Sequence, residues 1–251
     1  MNPPPTSRAF RLALGSIGVA GVAVLAGCAT PGPLHVYSIA SATAPTISDA
    51  GPTPVTEVPD FLVPGETLTG FAYDPFTDHF FLRLAPGDRM RVVDRPAHAV
   101  KREFVIAHAP ATGGGDLAVR PRDGHLFLTL PGEPALLEIS RFGEFVRKIG
   151  LPLPAEGVAF DSAQNRLLVL TAGGIVVTLL DRADLALTTV VLSRKIAPGA
   201  LGYDAERREL YAPLADARAV GVFGEDGKLR RSLPINAAFL DVGPRSFLRV
   251  F

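Results

Sequence analysis

The chain has 251 residues, with 25 Lys plus Arg against 25 Asp plus Glu, a balance that gives no electrostatic case for nucleic acid or another polyanion as partner. Its single cysteine excludes an intramolecular disulfide framework and a thiolate metal cluster. The 25 glycines and 23 prolines lie between short apolar runs, the distribution that an all-β fold with many turns needs.

Residues 1–27 stand apart from the rest. Arg8 and Arg11 precede an uncharged apolar run from Leu12 to Ala26. That run is shorter than the roughly 20 residues of a spanning helix, so it reads as a secretory signal that is removed on export. Its end, Leu25-Ala26-Gly27-Cys28, resembles the bacterial lipobox. The resemblance implies cleavage after Gly27 and a lipid on Cys28, an S-diacylglyceryl cysteine that is usually N-acylated as well. Each buried methylene contributes about 0.8 kcal/mol, so several acyl chains hold firmly where one would be marginal. Ala29, not Asp, follows the cysteine. Under the Gram-negative sorting rule this implies the outer membrane, facing the periplasm, in preference to the inner membrane. From Cys28 onward the formal net charge is −2, because Arg8 and Arg11 are the only charged side chains before it.

Residues 28–33 read as a tether, and residues 34–251 as one domain. Leu34–Ala40 alternates like a strand, residues 41–57 form a polar loop, and Val58–Val63 is a further strand. Four related units follow. The clearest, residues 156–193, has apolar runs Val158–Phe160, Leu167–Leu170, Ile175–Leu180 and Leu187–Leu192. Asp161-Ser162-Ala163-Gln164-Asn165, Gly173-Gly174 and Asp181-Arg182-Ala183-Asp184 separate them. β-Branched runs this short, bounded by Gly, Asp and Asn, predict a four-stranded antiparallel meander. Equivalent starts begin at Gly70, Asp116 and Ala200, and a fifth begins at Leu240.

The equivalent positions Asp74, Arg120, Asp161, Asp204 and Gly243 lie 46, 41, 43 and 39 residues apart. Four strands per period of roughly 40–50 residues predict the blades of a β-propeller. The fifth start supplies only two strands, Leu240–Pro244 and Phe247–Phe251. Leu34–Ala40 and Val58–Val63 would complete that blade as its third and fourth strands, leaving no open edge in the ring. The expectation is therefore five blades, the last closed by N- and C-terminal strands. The alternative is six, with residues 34–66 in a degenerate blade of their own. Lys101-Arg102, Arg147-Lys148 and Arg230-Arg231 fall on last strands, where basic residues discourage edge pairing.

Gly157-Val158-Ala159-Phe160-Asp161 followed by Leu167-Leu168-Val169 resembles the repeats of NHL, YVTN and gluconolactonase-like propellers. The resemblance covers most of residues 68–251 and implies a fold, since such propellers serve many unrelated functions.

No HExxH and no G-x-S-x-G occurs, and the Gly-rich Thr112–Asp116 stretch lacks a following GK[ST]. In a propeller the first strand lines the central channel, and the loops that enter it shape one face. This puts Asp116, Glu156, Asn236 and Asp241 forward as channel-mouth ligands. In gluconolactonase-like propellers a glutamate, asparagines and an aspartate from such loops hold a divalent cation, and Glu156 resembles the early glutamate. The resemblance thus implies one reading, a metal-dependent lactonase or related hydrolase with a cation such as Ca²⁺, for which oxygen ligands are suited. The acids are scattered along the chain, and the leading expectation is instead a non-enzymatic module without a cofactor. It would bind, or act as a scaffold for, a protein, peptide or glycan of the cell envelope.

Overall fold

The computed structural model describes residues 34–43, 46–50, 55–57, 62–110, 113–180 and 188–244. The expected signal, Cys28, the expected tether and the expected strand Phe247–Phe251 lie outside the described residues. Strands fill most of what is described, and no helix occurs among the described residues.

The strands form five four-stranded antiparallel sheets arranged as a ring. Blade I holds β4 (Thr67–Asp74), β5 (His79–Ala85), β6 (Arg89–Asp94) and β7 (Ala99–Val105). Blade II holds β8 (Leu117–Arg120), β9 (His125–Thr129), β10 (Ala135–Ile139) and β11 (Phe145–Gly150). Blade III holds β12 (Ala155–Asp161), β13 (Arg166–Thr171), β14 (Ile175–Leu180) and β15 (Thr188–Val191). Blade IV holds β16 (Gly202–Asp204), β17 (Glu209–Pro213), β18 (Val220–Gly224) and β19 (Leu229–Leu233). Blade V is built in the order β20 (Phe239–Pro244), β1 (Leu34–Ile39), β2 (Ile47–Asp49) and β3 (Val55–Glu57). The innermost strands β4, β8, β12, β16 and β20 touch one another in cyclic order, which closes the ring.

Five apolar clusters, one between each pair of neighbouring blades, take the place of a single core. Phe81 and Met90 meet Leu126 and Leu137 between blades I and II, and Phe127 and Leu136 meet Val169 and Val177 between II and III. Leu168 and Leu170 meet Leu210 and Phe223 between III and IV. Tyr211 and Val222 meet Val36 and Leu240 between IV and V, and Tyr37 and Ile47 meet Phe71 and Phe80 between V and I. A sheet sandwiched in this way is buried on both faces. This is why β10, β17 and β18 are buried at every position and appear in the sequence as mainly apolar runs, interrupted only by Glu138 and Glu209 among charged residues. The outer strands β7 and β11 are mostly exposed.

The repeated aspartate at the end of the first strand caps the turn into the second. Asp161 Oδ1 accepts hydrogen bonds from the amides of Ala163 and Gln164, and Asp204 Oδ1 accepts them from Glu206 and Arg207. The last residue of the same turn is left-handed in each copy, with φ of 58° at Asp78, 52° at Asn165 and 56° at Arg208, and 74° at Gly124. Carboxylate caps and residues that tolerate this conformation are the physical content of the repeat signature.

Blade V departs from the expected strand roles. β1 occupies the second place, because it pairs directly with β20 from Leu34 against Pro244 to Ile39 against Phe239. The third strand is β2, inside the stretch 41–57 that reads as loop, and the fourth is β3, not Val58–Val63. Ile47-Ser48-Asp49 and Val55-Thr56-Glu57 carry one apolar residue each, too little for a periodicity to register. Of Val58–Val63, residues 58–61 lie outside the described residues, and Leu62 and Val63 are not in a strand.

The basic residues of the outer strands do more than face solvent. Arg147 folds back to bond the buried Glu138 at 2.5 Å, and Arg231 donates two hydrogen bonds of 2.7 Å to the buried Glu209. Each ties a fourth strand to a carboxylate further in, which a buried acid requires.

Candidate functional site

The innermost strand of each blade turns one edge to the channel, and the amides on that edge have no neighbouring strand to bond. Two carboxylates supply acceptors. Asp116 Oδ2 accepts from the amides of Val158 at 2.8 Å and Leu201 at 3.3 Å, and the Leu117 amide also holds this carboxyl. Asp241 Oδ2 accepts from the Tyr73 amide at 2.7 Å, and its Oδ1 accepts from the Val242 amide at 2.7 Å. Asp116 thereby links blades II, III and IV, and Asp241 links blades V and I. Between them the two acids reach all five innermost strands.

Burial pushes Asp116 well above the ordinary carboxylate range, and the charge of Asp241 adds to this against the pull of the three amides. Asp116 is 1% exposed, and its Oδ1 has no hydrogen-bond partner among the described residues. Asp241 is pushed up to about 7, first by burial and then by the charge of Asp74, with the Tyr73 and Val242 amides opposing. Asp241 is half-buried, and part of its surface opens into a cavity.

The cavity, of about 310 Å³, sits where the first strands end, at the mouth of the channel on the face that carries the first-to-second-strand turns. All five blades contribute: Tyr73 and Pro75, Ala118 and Val119, Ala159 and Phe160, Tyr203 and Ala205, and Asp241 with Val242. Its wall is chiefly apolar. The tyrosine hydroxyls are engaged, Tyr73 donating to Asp78 at 3.0 Å and Tyr203 to Glu225 at 2.7 Å. The volume and the apolar lining with few polar groups match a small-ligand site.

The four sequence-derived candidates occupy different environments. Asp241 is in the cavity wall, and Asp116, two residues before the cavity-lining Ala118, lies deeper in the channel by roughly 7 Å of strand. Glu156 is half-buried at a bulge at the start of β12, where its carbonyl accepts from the Gly199 amide at 3.1 Å. Asn236 is exposed in the connection from β19 to β20. Neither Glu156 nor Asn236 lines the cavity, since Glu156 stands at the start of β12, Asn236 precedes β20, and the cavity lies at the strands' far ends. Among the described residues no group of three or more His, Cys, Asp or Glu is arranged to hold a metal.

Tyr73, Phe160 and Tyr203 were not among the sequence candidates. Aligned on the turn position, they precede Asp74, Asp161 and Asp204, so an aromatic one place before the turn is the signal that marks the wall. The same alignment puts Asp241 level with Ala72, Ala118, Ala159 and Gly202, one acid in a ring otherwise made of the smallest residues.

No protein-family model matches the chain, and no curated protein matches it. Solved structures do. A chain of a nidogen/laminin complex superposes with a TM-score of 0.60 at 10% identity, over 85% of this chain and 100% of that one. The Myxococcus xanthus glutaminyl cyclase gives a TM-score of 0.51 at 15% identity, over 68% of this chain and 71% of the enzyme. A protein of unknown function from Bacteroides caccae gives 0.51 at 10% identity, over 85% and 99%. At these identities the likeness is one of fold, and it establishes the chain as a β-propeller without assigning an activity.

Proposed function

We propose that the chain is a non-catalytic binding propeller of the bacterial cell envelope, held by lipid at Cys28, and that it captures its partner at the channel mouth. The observation that carries this reading is the cavity of about 310 Å³ to which all five blades contribute an apolar wall. A ring that pools one surface from five repeats makes a site that no single blade has. The nidogen/laminin neighbour, matched over its whole length, is a propeller found in a complex with another protein. The lipobox-like Leu25-Ala26-Gly27-Cys28 supports the anchor, and Ala29 supports the outer membrane. The partner class is an envelope protein, peptide or glycan.

The alternative, a metal-dependent hydrolase of the gluconolactonase-like kind, needs several oxygen ligands at one mouth. Glu156 and Asn236 stand away from the cavity that Asp241 lines. Calorimetry on the full chain in detergent separates the readings: stoichiometric micromolar Ca²⁺ binding would favour the hydrolase.

Two experiments test the proposal. A photo-crosslinking residue at Glu206, exposed on the cavity rim, should capture an envelope component, whereas the same residue at Asn236 should not. Equal capture at both would locate the partner elsewhere. Cys28→Ser should release the protein from the membrane fraction, and a variant that still sediments with membranes would rule out the lipid as anchor.

A further inference from the structure

The cavity has a one-sided chemistry. Among the described residues its carboxylates are those of Asp204, Glu206 and Asp241, and no described Lys, Arg or His lines it. Asp204 is committed to its turn, accepting from the amides of Glu206 and Arg207 and pairing with Arg207 at 3.1 Å. Glu206 is exposed at the rim. Asp241 differs from both, because it stands inside the channel where its four equivalents are Ala or Gly. Its two oxygens each accept one backbone amide, and a carboxylate has lone pairs beyond those two bonds. Behind it, Asp116 Oδ1 is buried with no hydrogen-bond partner among the described residues. An acceptor left open in the channel calls for a donor. Tyr73, Phe160 and Tyr203 line the same cavity, and aromatic rings attract organic cations.

We propose that the channel-mouth cavity binds an amine: an ammonium group directed at Asp241, carried on an apolar body that fills the space between Tyr73, Phe160 and Tyr203. This deepens the binding reading above and rests on it. A carboxylate in a confined, mostly apolar site favours a cation over a neutral isostere and rejects an anion. The acids at the wall and the rim have the same sign, so they draw such a ligand inward.

The test uses the full chain in detergent at about pH 8, where benzylamine is largely protonated, with benzylamine, benzyl alcohol and benzoate titrated by calorimetry and by chemical-shift perturbation. Benzylamine should bind, benzyl alcohol at least tenfold more weakly, and benzoate more weakly still. Asp241→Asn keeps an oxygen for the Tyr73 amide and should lower benzylamine affinity more than tenfold, to the level of the alcohol. Ser162→Arg, at an exposed wall position, puts a cation at the mouth without disturbing the channel, and should weaken benzylamine but not benzyl alcohol. Benzylamine affinity that stays within twofold in Ser162→Arg, or in a cooperatively folding Asp241→Asn, overturns the inference. Amine and alcohol binding equally at this cavity overturns it too, while leaving the cavity as a binding site. Failure of all three probes also overturns it, and capture at Glu206 then decides the binding reading separately.

Discussion

Blade III and blade V hold the same four strands in different ways. Blade III is one uninterrupted stretch of chain from Ala155 to Val191, and β12 pairs with β13 across a short turn capped by Asp161. Blade V joins β20 to β1, whose paired residues lie about two hundred positions apart. Its outer strands β2 and β3 have three residues each, against six and four for β14 and β15. What the closure lacks in local pairing it recovers in side-chain packing. Tyr37, 1% exposed, meets the rings of Tyr73 at 4.7 Å and Phe80 at 5.1 Å, and His35 bonds Asp49 in the interior of the same blade. A contiguous blade can rely on short-range hairpins, whereas a shared blade must repay the entropy of joining distant segments through packing against its neighbours.

The comparison can be tested at equivalent positions. Tyr37 faces Asp241 across the β1–β20 pair as Leu168 faces Ala159 across β12–β13. Tyr37→Ala and Leu168→Ala should each cost about 3–5 kcal/mol by chemical denaturation, from lost burial plus the cavity left behind. They should differ in hydrogen exchange. Tyr37→Ala should accelerate exchange of β1 and β20 amides selectively, while Leu168→Ala should lower protection across the ring. Selective exchange in neither variant would mean that the two blades are equally secure.

A smaller effect concerns the acid that blade V contributes to the channel. Asp241 is held at about 7 in the fold, against about 4 for an unfolded aspartate. Between those values the folded state binds the extra proton, so stability falls as pH rises from 4 to 7 and levels off above 7 as far as this group is concerned. Asp116, raised in the same direction, adds to the decline. Asp241→Asn should flatten the part of the curve between pH 4 and 7, a difference on the order of a few kcal/mol at most. An unchanged slope in that window would show that Asp241 titrates normally. The smallest expected effect is at blade III's own rim: Val191, 63% exposed on β15, should tolerate Val191→Thr within about 0.5 kcal/mol in thermal unfolding.

The sequence shows the ring clearly where physics repeats. Strands buried on both faces become apolar runs, and the turns between first and second strands need Asp74, Asp161 and Asp204 as caps. Those two requirements make the spacing visible. Strand roles in blade V are less legible because β2 and β3 are too short to show a period and because β20 and β1 find each other only in space. The same distinction runs through the site. Asp116 and Asp241 can be picked out as acids near blade starts, but their partners cannot. The Val158 and Leu201 amides that Asp116 binds lie 42 and 85 residues further along, and the Tyr73 amide lies 168 residues before Asp241. The cavity wall itself needs the repeats to be aligned before its aromatics fall into one row.

The pairing of β1 with β20 also has a consequence for the order in which the molecule is made. Among the described strands, β1 leaves the ribosome first and its partner last. β1, β2 and β3 can form a three-stranded piece early, but that piece has no innermost strand until residue 239 and its successors have been delivered. Blades I to IV each have all four strands once their own stretch has emerged, and the Tyr73 amide waits for Asp241. Completion of the ring therefore reports that essentially the whole described chain has arrived, and a chain halted in translation or in transit presents an unfinished blade for quality control to recognise.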